Sequence, residues 1–132
     1  LSSATGRCFG AWLPAARTEA ALERELAQAR LAGRSDLPQT AAAAHQLFAQ
    51  VRSQGTACVV DTLLPSVVAL CAPVFDARGQ LVLGITSLGT QATFDPAPQG
   101  AIAQGLQTIA AQLSHALGYS GTEPGGQALQ PT

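Results

Sequence analysis

The sequence predicts an α+β domain: an antiparallel sheet of three consecutive strands with helices packed on its faces. Three observations point there. The first is a hairpin pattern at 66–89, SVVALCAPVFDARGQLVLGITSLG. Val67, Val68, Leu70, Val74 and Phe75 form a β-favouring run. Asp76, Ala77, Arg78 and Gly79 supply a turn, and Leu81, Val82, Leu83, Ile85 and Leu88 form a second run. The second observation is that neither run alternates cleanly between apolar and polar, so both faces of the hairpin are expected to be covered. The third is that much of the remaining chain carries apolar residues at helical spacing, punctuated by Gly and Pro. Pro73 lies inside the first run and has no N–H to donate, so a bulge or one unpaired side is expected there.

A short helix is expected within 1–14, with Ser2 or Ser3 as its cap, an apolar face of Cys8, Phe9, Trp12 and Leu13, and Pro14 as its stop. The turn before it presents backbone N–H groups and the positive end of the helix dipole, a setting that suits a carboxylate, although an ordinary capped helix end is the favoured reading of the residues alone. A second helix is expected over 17–32, capped by Thr18, with Ala20, Ala21, Leu22, Leu26 and Ala29 facing inward and Gly33 ending it. Its Glu and Arg residues make the wet face. After a connector at 34–39, a third helix is expected over 40–54. Thr40 caps it, Ala44, Leu47, Phe48 and Val51 face inward, and Gly55 stops it. His45 reads as a boundary residue.

A strand follows at 56–63, with Thr56, Cys58 and Val60 on one face and Ala57, Val59 and Asp61 on the other. With strands at 67–75 and 80–88 it completes a meander. The segment 90–97 reads as a loop. A long helix is expected over 98–117, with Ile102, Leu106, Ile109, Leu113 and Leu117 as its buried stripe and Gly118 as its stop. The Gly/Pro/Gln-rich segment 120–132 is expected to be a disordered tail, leaving 1–119 as the domain.

Composition excludes several functions. A chain of 132 residues supports one domain. Charged residues make up only 11%, against about 25% in ordinary domains, so much of the surface is weakly polar or hidden in an assembly. All seven basic residues are arginine and the net charge is −1, so the chain has no basic patch to hold nucleic acid. No apolar run reaches the roughly 18 residues of a membrane span. The first residue is Leu1 and no charged-then-apolar leader follows. We read the chain as a cytoplasmic piece of a longer protein.

Cys8, Cys58 and Cys71 show no CxxC spacing, so they read as small buried hydrophobes and no metal site is expected. No P-loop, no GxSxG and no GxGxxG leading into a helix is present, and no cofactor is expected. A Cys71–His115 pair is the one catalytic pairing left open. The strands are nearly free of charge yet carry hydroxyls at Thr56, Thr62, Ser66, Thr86 and Ser87. A few hydroxyls in an apolar concavity fit a small-molecule pocket, and β-favouring threonine on a half-wet strand fits the same pattern.

Four segments, in order and at family spacing, resemble the effector-binding domain of IclR-type transcriptional regulators. They are SATGRCFGAWLP, RSQGTACVVD, ALCAPVFDARGQLVLGITSLG and AQLSHALGY. APVFD-x-x-G together with the LSxxLGY-like ending carries the specificity. The resemblance implies a GAF-like α+β sensor domain, incomplete at its N-terminus, that is not an enzyme. It implies a pocket between the sheet and the first helix turn, lined by Ser3, Ala4, Thr5, Val59, Ala69, Cys71, Thr86 and Leu88. It also implies a homodimer or homotetramer whose DNA contact belongs to a separate N-terminal winged helix-turn-helix domain.

Three departures from the family stand out. The DNA-binding domain and the leading strands of the sensor domain are absent from this sequence. Where relatives carry an acidic run, this chain has Val59-Val60-Asp61-Thr62, and Ala69 replaces a small or polar residue. Leu88 stands where relatives carry serine. Fewer polar anchors imply a more apolar effector, an aromatic or short-chain organic acid, with its carboxylate at the Ser3/Thr5 turn. A pure oligomerisation module without a ligand is the alternative reading.

Overall fold

The structure is a computed structural model that describes residues 1–121. The segments RCFGAW to Trp12, then three further helical and three extended segments, resolve into seven elements. They are α1 (Ala4–Trp12), α2 (Ala15–Leu31), α3 (Ala41–Gln54), β1 (Ala57–Val60), β2 (Val67–Phe75), β3 (Leu81–Thr90) and α4 (Ala101–Ala116). The strands form one antiparallel sheet in the order β1-β2-β3. The architecture is α+β, as the sequence predicts. The expected tail lies outside the described residues from 122 onward.

Local chemistry sets most boundaries. Ser3 Oγ accepts from the Gly6 N–H at 3.0 Å and Thr40 Oγ1 from the Ala43 N–H at 3.1 Å, so each caps its helix. Gly55 closes α3 at a φ of 84°, a conformation that costs glycine no Cβ clash. The expected cap of α2 is different. The helix starts at Ala15 with Pro14 at its N-cap, and Thr18 Oγ1 donates to the Ala15 carbonyl at 3.4 Å.

β1 is shorter than expected, ending at Val60. Asp61 and Ser66 both have positive φ, 58° and 62°, and the Asp61 carboxylate accepts from the Ser66 N–H. This local bond turns 61–66 into a tight loop instead of a strand. The Pro73 expectation holds in both of its forms. β1 pairs only with Val68 to Cys71, so Pro73 has a strand neighbour on one side alone. A register shift follows it, between Val74 and Phe75.

The sheet separates two cores. On one face Ala57, Val59, Ala69 and Cys71 pack with Ala4, Cys8 and Ala11 of α1 and with Phe48 of α3. On the other face Val68, Leu70, Ala72 and Val74 pack with Ala103, Leu106 and Ala110 of α4. Phe94, from the loop after β3, completes this second core.

Two helical faces are rotated from their expected positions. In α1 the buried residues are Ala4, Cys8 and Ala11, while Phe9 is exposed. In α4 they are Ala103, Leu106, Ala110 and Ser114, whereas Ile109, Leu113 and Leu117 are 55%, 36% and 43% exposed. Small residues bring these helices close to the sheet, so the larger side chains are carried to the flanks.

Candidate functional site

The strand register assembles the residues named from sequence. Val59, Ala69 and Leu88 align across the three strands in one row, and Ala57, Cys71 and Thr86 align in the next. Both rows face α1. Cys71 is fully buried, and Val59 and Ala69 are nearly so. Leu88, at the outer end of its row on the edge strand, is 66% exposed.

The first turn of α1 crosses over these rows. Thr5 Oγ1 lies 2.8 Å from Thr86 Oγ1, joining helix to strand by one hydroxyl pair. Ala4 is buried against the sheet. Ser3 is close by, but its hydroxyl is already occupied as the helix cap. The structure therefore brings Thr5, Cys71 and Thr86 together, places Ala4, Val59 and Ala69 in the packed layer beneath, and leaves Ser3 and Leu88 at the margins.

The interior between α1 and the sheet is filled by Cys8, which stands one turn after Thr5 and packs onto Cys71. The Thr5–Thr86 hydroxyl pair lies beside the strand position of Cys71, and Cys8 shares its core. Neighbouring Cys8, with the Thr86 and Thr5 hydroxyls, pulls the Cys71 thiol pKa down against the opposing effect of burial. Neighbouring Cys71 and burial push that of Cys8 up. Gly84, across from Pro73, makes room for this sulfur: a Cβ there would stand 2.6 Å from Cys71 Sγ. The Cys71–His115 pairing is not formed. Cys71 faces α1, whereas His115 lies on α4, across the sheet.

Sequence reasoning passed over Arg7. Its Nε donates to the Leu1 carbonyl at 2.7 Å and its Nη1 to the Cys58 carbonyl at 3.2 Å, which holds the start of α1 against β1. Burial pulls its pKa below the usual arginine value. An arginine inside an otherwise uncharged helix was the available signal.

A cavity of about 680 Å³ lies elsewhere, in the notch where β2 runs on past the end of β1. Arg52, Pro73, Phe75, Gln107, Ser114 and His115 are among its lining residues. A smaller cavity of about 260 Å³ sits between α1, α2 and α3, with Gly6, Leu22 and Phe48 among its lining residues. Among the described residues no group of three or more His, Cys, Asp or Glu side chains could hold a metal ion. None of the described helices is long and apolar enough to cross a membrane.

The profile of a family described as "Bacterial transcriptional regulator IclR C-terminal" matches residues 1–115. This chain belongs to the IclR family. Pseudomonas aeruginosa HmgR is 35% identical to it, with a TM-score of 0.80, over 92% of this chain and 46% of that one. Thermotoga maritima IclR is 20% identical, with a TM-score of 0.68, over 89% of this chain and 47% of that one. The C-terminal domain of E. coli KdgR is 22% identical, with a TM-score of 0.66, over 89% of this chain and 70% of that one. At that identity the last two speak for the fold alone. No curated protein matches the chain. The chain thus spans less than half the length of HmgR. The matched proteins are transcriptional regulators and their domains, not enzymes.

Proposed function

We propose that this IclR C-terminal domain senses a small organic acid, aromatic or short-chain, and passes the signal to DNA binding by a separate N-terminal winged helix-turn-helix domain. One observation carries the reading: the Thr5–Thr86 hydroxyl pair, which joins α1 to the sheet where the candidate site residues converge. A ligand carboxylate entering there would exchange that bond for two of its own, drawing on Thr5, Thr86 and the capped turn at Ser3. Its apolar part would rest on Leu88. The mechanism is population shift, in which the effector binds best to an arrangement with α1 lifted from the sheet.

The first test is a thermal shift of the chain against benzoate, phenylacetate and a set of short-chain acids. A ligand at 100 times its Kd adds about 2.7 kcal/mol. At this chain length that raises Tm by roughly 8 °C. Trp12 is the only tryptophan and sits on α1, edge-on to Phe75 with centroids 6.1 Å apart. A true effector should therefore change its emission as well. Leu88→Ser should shift preference toward smaller, more polar acids. An unchanged ranking would remove Leu88 from the site, and no shift with any acid would count against sensing by this chain.

The second reading is an oligomerisation module, a homodimer or homotetramer without a ligand. The exposed flank of Ile109, Leu113 and Leu117 on α4 supports it. Sedimentation of the chain with and without the acids separates the two: assembly that no acid alters favours the module.

A further inference from the structure

Ala57 of β1 pairs with Cys71, so the residues of β2 from Ala72 to Phe75 run on without a β1 neighbour. Residues from the ends of α3 and α4 complete the lining of the cavity of about 680 Å³ in this notch. That volume is within the roughly 300–1,000 Å³ of small-molecule sites. Two hydrogen bonds between elements fix its shape. Gln107 Nε2 donates to the Gln54 carbonyl at 3.0 Å, and the Phe75 N–H donates to Ser114 Oγ at 3.0 Å. Pro73, Phe75, Ala110 and Ala111 supply apolar lining. The Tyr119 ring, also lining the cavity, lies against that of Phe75 with centroids 5.2 Å apart.

The ionisable groups of this cavity are all bases. Arg52, in the last turn of α3, and His115, in the last turn of α4, both line it, and no Asp or Glu is among the described lining residues. Bases near helix ends commonly serve the terminal carbonyls. Here several of those carbonyls are served without them. The Gly55 N–H donates to Val51 and Gln107 to Gln54, while the N–H groups of Leu117, Gly118 and Tyr119 donate to Leu113, His115 and Ser114. Arg52 gives Nη1 to the Ala11 carbonyl at 2.8 Å. A guanidinium carries five N–H donors, so most of them remain for an anion.

We propose that this cavity is a small-molecule site separate from the one at Thr5 and Thr86, and that it takes a planar aromatic carboxylate. Arg52 and His115 supply the donors for the carboxylate. The ring rests on the aromatic surface of Phe75 and Tyr119. The proposal does not rest on the effector reading, because the two sites share no residue.

The test is an amide NMR titration of the isotope-labelled full chain with naphthoate. Saturable shifts should appear at Gly55, Phe75, Ser114 and His115, and not at Thr5 or Thr86. Naphthylmethanol has the same ring without the charge. It should bind roughly tenfold more weakly or worse, the scale of a hydrogen bond to a charged group. Arg52→Gln and His115→Gln should each weaken naphthoate binding by about the same factor. Ala111→Trp, at an exposed helix position, should fill the cavity and abolish the shifts. That variant decides the matter even if Arg52→Gln loosens the end of α1. Shifts that do not saturate, equal binding of the neutral alcohol, or full binding by Ala111→Trp would overturn the proposal. Shifts confined to Thr5 and Thr86 would also overturn it while supporting the effector reading, so the two readings fail separately.

Discussion

The backbone N–H of Phe75 donates to Ser114 Oγ at 3.0 Å, and that hydroxyl donates in turn to the Ala110 carbonyl at 2.8 Å. Phe75 lies beyond the end of β1, at the register shift of β2. A helix hydroxyl thus serves a strand N–H that has no β1 neighbour. Ser114 is itself only 3% exposed, one of the few buried polar side chains. Ser114→Ala should cost about 1–3 kcal/mol, because it leaves a buried donor unpaired. Urea unfolding at fixed m-value measures this. A change under about 0.5 kcal/mol, the scale of an ordinary surface substitution, would mean the N–H has another partner.

Truncations along α4 should follow the observed face, not the apparent stripe. Leu106, 7% exposed, should cost about 2–5 kcal/mol on replacement by Ala. Ile109, 55% exposed, should cost within about 0.5 kcal/mol in the dissociated chain. Chemical denaturation of the two variants at low concentration makes the comparison. Equal costs would place Ile109 in a buried contact.

Gly10→Ala sets two effects against each other. Alanine favours a helix over glycine by about 1 kcal/mol. A Cβ at position 10, however, would stand 2.3 Å from the Phe48 ring, in the contact between α1 and α3. Overpacking of a core costs about 1–3 kcal/mol. The clash should win, and Tm should fall. A rise in Tm would show that α1 and α3 separate easily.

Arg34 holds Asp36 bidentately, with bonds of 2.9 and 2.8 Å, and reaches the Thr62 carbonyl at 2.6 Å. The guanidinium keeps the Asp36 carboxyl below its ordinary range. Since the folded pKa lies below the unfolded one, this pair stabilises the fold above the unfolded pKa near 3.9, and the effect is lost as pH falls through the folded pKa. Both groups are exposed, so the effect is small and salt-sensitive. Asp36→Asn should therefore remove a small part of the stability above pH 4 and leave the acid end unchanged. An equal loss at pH 2.5 and pH 6 would contradict a charge origin.

Local chemistry was enough to determine much of this protein. The hairpin runs, the Ser3 and Thr40 caps, the left-handed Gly55 and the Pro73 irregularity all follow from the residues and their immediate neighbours. So does the family, through segments whose order and spacing are specific. Tertiary structure decided what depends on distant partners. Periodicity marks an apolar stripe on α4 but cannot say which side touches the sheet. Alanines 103 and 110 allow the closer approach, and Ile109 is left outside. Phe94 reads as loop because its partners, Val68 and Leu70, lie on a strand more than twenty residues earlier. The candidate site shows the same division. Its residue types were legible one by one, but a sequence carries no record that Thr5 meets Thr86. That pair exists only because the register of β2 on β3 and the seating of α1 bring the two hydroxyls within bonding distance.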